Sequence, residues 1–274
     1  MKKTVGYVTA ILVFLVLMIG MIIVGKQRQD VQLTQQMAHY SQQSQSVTKT
    51  QATTEKQLPN LGSDNAKWHQ IGAGKQLKVA VMGDEIAAGY YAGTPKQAFQ
   101  YQVTNFLHKS LGYQVSLKGH WRKGATIGGA AIDNYQRLVN WNPDLLILEY
   151  GTNDQDPKNS AYASPKTFWT NLQALLTDLQ AKLPQTKVIL LTSWQGKNNQ
   201  TYDPLIKSAG RQAGIDVLDL APIWHDQVNR ADSSSQTWTK TVTKKWPNTA
   251  GQVEIARSLI QKELVPFYVP RQLR

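Results

Sequence analysis

An acidic pair, Asp84-Glu85, follows Gly83, and another acid, Asp154, closes the run Gly151-Thr152-Asn153-Asp154. Two carboxyl groups facing a glycosidic bond from roughly 5–10 Å apart can split it, one as acid and the other as base or nucleophile. Glu85 and Asp154 are the pair that could do so. A plainer reading competes: Asp154 braces its own loop and Glu85 takes no part in catalysis. No histidine stands at metal-ligand spacing from Asp84, Glu85 and Asp154, so no metal site is expected. A hydroxyl nucleophile is weak until a base takes its proton. Thr126, in the run Lys123-Gly124-Ala125-Thr126-Ile127-Gly128-Gly129, or a nearby serine is a candidate hydroxyl, with His120 and His225 as the histidines able to approach a pocket at these loops. His39, His69 and His108 fall on other segments.

Aromatic side chains collect around the same stretches: Tyr90, Tyr91, Trp121, Tyr150, Trp194 and Trp246. Flat rings suit sugar rings, and Tyr90, Trp121 and Trp194 are candidates for ligand contact together with Asp84, Thr126 and Asp154. The competing reading is that the rings pack the loops and leave a polar tip in water. The chain has no cysteine, which excludes disulfides, thiolate metal sites, a cysteine nucleophile and a lipid-modified cysteine anchor. Its formal net charge is +12. No nucleic-acid motif or dense basic helix accompanies that charge, so nucleic acid is not an expected partner. Anionic wall polymers or lipid headgroups are the partners the charge suits.

The elements that must position these residues can be read from hydropathy. Short apolar runs at 77–82, 113–117, 144–150, 187–192 and 215–218 predict strands buried on both faces. Amphipathic stretches at 95–110, 165–183, 203–213 and 248–264 predict helices between and after them. In 165–183, for example, Phe168, Leu172, Leu175, Leu176 and Leu179 share one face. Alternation at this spacing predicts a three-layer α/β/α sandwich on a five-stranded parallel sheet. Ligands in such sheets sit beyond the carboxyl ends of the strands, where the acidic and glycine-rich runs fall.

Taken in order, Gly83-Asp84-Glu85, the run around Gly124, Gly151-Thr152-Asn153-Asp154, and Trp246-Pro247-Asn248-Thr249-Ala250-Gly251 resemble the four blocks of the SGNH (GDSL-type) esterases, over roughly residues 78–264. The resemblance implies a flavodoxin-like fold and no cofactor. It also implies an oxyanion hole built from the Gly124 amide, with Gly128 as the alternative, and the Asn153 side chain. Asp84 matches the structural acid of the first block. The reacting positions depart from the family's pattern. Glu85 stands where the serine nucleophile belongs, Trp246 where the base histidine belongs, and Thr243 where its orienting aspartate belongs. Indole N–H is a donor only and cannot act as a base. No histidine in the chain has an aspartate three residues before it.

Ahead of this domain, expected at 71–274, two segments differ in composition. Residues 5–24 are almost wholly apolar, with Lys2 and Lys3 before them and Lys26 and Arg28 after. Such a run can cross roughly 30 Å of hydrocarbon as a helix. A retained signal anchor over 1–25, N-terminus inside, is expected. Residues 26–70 are rich in Gln, Ser and Thr, predicting a mostly disordered stalk. The chain is thus expected in the cell membrane as a single-pass protein with its C-terminal domain outside. Its expected role is a catalytically impaired relative of acyl esterases that binds cell-wall glycan or an acylated small ligand of the envelope. The alternatives are an active esterase with a rearranged nucleophile and base, and an envelope scaffold with an unidentified protein partner.

Overall fold

The computed structural model describes residues 66–194, 199–240 and 245–274. The expected anchor, nearly all of the stalk, and Thr243 lie outside them. Among the described residues no helix is long and apolar enough to cross a membrane.

Five parallel strands form one sheet in the order β2-β1-β3-β4-β5. They are β1 (Gln76–Gly83), β2 (Gln114–Trp121), β3 (Leu145–Glu149), β4 (Lys187–Leu191) and β5 (Asp216–Leu218). The five longer helices are α1 (Phe99–Asn105), α2 (Ile132–Trp141), α3 (Pro165–Lys182), α4 (Asn199–Ala213) and α5 (Thr249–Leu259). Side chains alternate across a strand, and the sheet uses both faces. Val79, Val81, Leu145, Ile147, Ile189 and Leu191 join Phe99 and Val103 of α1 and Ile255 and Leu259 of α5 in one apolar cluster. Ala80, Met82, Leu146, Leu148, Val188 and Leu190 join Leu138 of α2, Phe168 and Leu172 of α3 and Ile206 of α4 in another. Burial on both faces is why the central strands read as continuous apolar runs.

Local signals fix where helices begin. Ser164 caps α3 by accepting the Thr167 N–H at 3.2 Å, and Pro165 occupies the first turn, where its missing N–H costs nothing. Asn248 caps α5 through the Gly251 N–H at 3.0 Å.

Three expectations need correction. The helix expected over 95–110 is broken into a short turn at Pro95–Gln97, α1, and a wider turn at Phe106–Ser110. β2 runs on to Trp121, because pairing with β1 continues to Gly83 opposite Trp121 although the edge strand is polar there. α2 was not foreseen: only Leu138 is fully buried, with Tyr135 and Val139 partly so, which leaves a thin apolar stripe.

The chain leaves β1 for β2 on one side, then returns to place β3 on the other. The carboxyl ends of β1 and β3 therefore flank a topological switch point, where a crevice opens in sheets of this kind. Asp84-Glu85 leaves one end and Asn153 the other.

Candidate active site

Gly83 ends β1 because nothing larger fits. A Cβ there would lie 2.5 Å from the Glu149 carbonyl oxygen and 2.7 Å from the Ala87 side chain. Gly83→Ala is expected to destabilise the domain by about 2 kcal/mol or more, since backbone cannot easily yield. Thermal unfolding checks this; an unchanged midpoint would mean that β1 and β3 separate freely at this end.

The chain then turns inward. Asp84 is fully buried, and its Oδ1 accepts the Ile86 N–H at 2.7 Å. Glu85 is 3% exposed. Its Oε2 accepts two donors: the Gly124 backbone N–H at 2.8 Å and the Asn153 Nδ2 at 3.1 Å. The same Asn153 amide donates to Asp84 Oδ2 at 2.8 Å. Gly124 has φ +73°, a left-handed conformation that glycine adopts without penalty, and its carbonyl accepts Asn159 Nδ2 at 3.0 Å. The structure thus brings Glu85, Gly124, Asn153 and Asp84 together. Gly128 lies apart on an exposed turn before α2.

A third acid joins them. Glu149, the last residue of β3, is fully buried and accepts the Asp84 backbone N–H at 3.3 Å on its Oε2. Burial pushes the Asp84 carboxyl well above the usual carboxylate range, and the neighbouring charges of Glu149 and Glu85 add to this. Burial likewise pushes Glu149 up to about 7. Glu149 escaped the sequence reading; the available signal was an acid ending an otherwise apolar strand.

Asp154 braces its own loop. Its two oxygens accept the Ile127 N–H at 2.9 Å and the Gly151 N–H at 3.1 Å, and it is fully buried. Burial raises its carboxyl to about 6 against the effect of those bonds. It ties the loop after β3 to the turn before α2, as the plainer reading of Asp154 expects. Among the described residues no group of three or more His, Asp or Glu side chains could hold a metal ion.

The remaining candidates are dispersed. Thr126 Oγ1 is buried with no hydrogen-bond partner among the described residues. The His225 ring is exposed and stacks on Trp224 at 4.0 Å. His120 lies near the end of β2, and burial lowers its pKa. Trp246, at the expected base position, stacks on the buried Tyr91 with centroids 5.2 Å apart and planes at 12°. Trp194 is 1% exposed and donates its Nε1 to the Lys245 carbonyl at 2.6 Å, so its ring packs a loop and offers no face to a ligand. Trp121 and Tyr90 are half-buried. Tyr90 meets Trp238 edge-on at 5.5 Å. Trp238 is a second residue the sequence reading missed. Its Nε1 donates to the Gly89 carbonyl at 2.8 Å and its N–H to the Ala92 carbonyl at 3.1 Å, while Thr239 Oγ1 donates to the Tyr90 carbonyl at 2.8 Å. This strap pins the loop that carries Glu85.

Residues 81–252 match the model of the GDSL-like lipase/acylhydrolase family. That span exceeds half of the chain, and the chain belongs to this family. No curated protein sequence matches it. Solved structures share its fold. A psychrotrophic esterase from Pseudoalteromonas sp. superposes with a TM-score of 0.52 at 18% identity, covering 69% of this chain and 99% of that one. An acetylxylan esterase from Geobacillus stearothermophilus gives 0.54 at 17% identity, covering 70% and 95%. An alpha/beta hydrolase from the metagenome of Lake Arreo, Spain, gives 0.53 at 18%, covering 69% and 94%.

Proposed function

We propose that this chain is a membrane-anchored, extracellular GDSL-family protein that has lost ester hydrolysis and binds an acylated or carbohydrate ligand of the cell envelope. One observation carries the reading. The Glu85 carboxylate lies between the Gly124 N–H and the Asn153 amide, the donors that the family resemblance assigns to the oxyanion hole. Ester hydrolysis builds negative charge on the former carbonyl oxygen, and prepositioned donors in a water-poor site stabilise it. Here those donors are already engaged, by a group of the charge sign that develops in the reaction. The nucleophile position has no hydroxyl, and Trp246 supplies no base.

The ligand class is supported by the acetylxylan esterase among the structural relatives and by the net charge of +12, which suits anionic envelope polymers. The anchor is supported by the apolar run at 5–24. Sedimentation of the full-length chain, in detergent, with purified wall glycan tests the binding. Co-sedimentation that acetylated glycan fragments compete away is expected. Retention by an envelope protein alone, with no glycan binding, would replace this reading with that of a scaffold.

A further inference from the structure

Two converging N–H donors make a site for an acceptor oxygen, and here the chain supplies its own. Glu85 Oε2 takes both donors, while Oε1 receives no hydrogen bond from any described residue. The donors are held by bonds that do not involve Glu85. The Gly124 peptide is fixed by Asn159 Nδ2 on its carbonyl at 3.0 Å, and the Asn153 amide is fixed by its second bond, to Asp84 Oδ2, at 2.8 Å. Removing Glu85 therefore leaves the pair in place and pointing at an empty volume.

We propose that the Gly124–Asn153 pair is a carboxylate-binding site for which Glu85 acts as a tethered ligand, holding the domain in a form that resembles an esterase with its acid product bound. This rests on the reading of Glu85 as the replacement for the nucleophile. The size of the site follows from the side chain that fills it. Shortening glutamate to alanine removes one methylene and the carboxylate, a fragment with the heavy atoms of acetate. Glu85 is buried, so a longer acid would collide with the surrounding loop. Formate and acetate are the carboxylates that fit. In the unaltered protein the tether outcompetes them, because an attached ligand acts at a high effective concentration. An acyl carbonyl arriving from outside meets the same filled site.

Acetate titration of the full-length protein in detergent tests the proposal, read by thermal stabilisation and by the Gly124 amide signal in glycine-labelled samples. Glu85→Ala is expected to respond with a midpoint of about 1–50 mM, a range set by charge-assisted hydrogen bonds in a site of this size. The unaltered protein and Glu85→Gln, whose side chain still fills the site, are expected to respond at least about tenfold more weakly. Glu85→Ala with Asn153→Ala should lose the response. Should Glu85→Ala fail to fold, about 0.1 M acetate should restore it by mass action. A folded Glu85→Ala that ignores acetate, an unfolded one that acetate does not restore, or an unaltered protein with the same midpoint as the variant would each overturn the proposal. Ester turnover by the unaltered protein would sink the proposed function instead, through a separate assay.

Discussion

Glu85→Ser, Thr243→Asp and Trp246→His together are expected to give measurable hydrolysis of acetyl esters where each change alone gives little. The expectation for Glu85 and Trp246 rests on the roles that each change leaves unfilled. Glu85→Ser frees the Gly124 and Asn153 donors from the carboxylate that now holds them. Its hydroxyl still has no base. Trp246→His alone supplies an imidazole with no hydroxyl at position 85 for it to activate. Groups that act as one catalytic unit are strongly non-additive, and a positioned base is worth about 10²–10⁴ in rate. The triple variant should therefore exceed the best single variant by about 10²-fold or more. Trp246→His also removes one partner of the stack on Tyr91, and the resulting void costs stability. Circular dichroism and thermal unfolding of the triple variant must accompany the kinetics. A folded triple variant no faster than Glu85→Ser would show that loss of activity has a cause beyond these three positions.

The second large effect is on stability. Burial raises Glu149 to about 7 in the fold, against hydrogen bonds from Asp84 and with a smaller push from the Glu85 charge; Asp84 is also raised, by burial and by the charges of Glu149 and Glu85. A carboxyl raised above its unfolded value of 4.5 binds its proton more tightly in the native state. Unfolding then releases a proton between those two values, so stability is fully present below about pH 4.5 and falls as pH rises through about 7. A rise from 4.5 to about 7 corresponds to about 3 kcal/mol. Asp154, raised to about 6, adds a loss of the same sign over a lower window. The domain is expected to melt roughly 5–10 °C lower at pH 8 than at pH 5, given the entropy change of a domain this size. Glu149→Gln, which keeps the shape and removes the charge, should flatten that dependence. A midpoint that rises with pH across this range would show that the acidic cluster is compensated by a group outside it.

Most of the fold was legible because its signals are local. Apolar runs such as Leu145-Leu146-Ile147-Leu148 announce a strand covered on both faces, and the five-strand parallel sheet follows from their alternation with helices. α2 escaped because Leu138 is its one fully buried side chain. The polar end of β2 escaped because strand pairing there is set by the backbone of β1 and not by side-chain type. At the site, the convergence of Gly124 and Asn153 could be expected from the order of the loops. What they converge on could not. The motif marks Glu85 as the wrong residue for a nucleophile, but only geometry places its carboxylate between the donors. Trp194 illustrates the opposite error: a ring near the strand ends that looks available in sequence and is buried under the Lys245 segment in space.

The central claim is that Glu85 holds the donors an ester would need, and the turnover of the unmodified protein tests it most directly. Initial rates on short acetyl and longer acyl esters, and on acetylated wall glycan, should match a buffer control. A serine-reactive phosphonate should leave its mass unchanged. A robust rate that survives Glu85→Gln and is abolished by changing Thr126, His120 or His225 would contradict the account and identify a rearranged esterase.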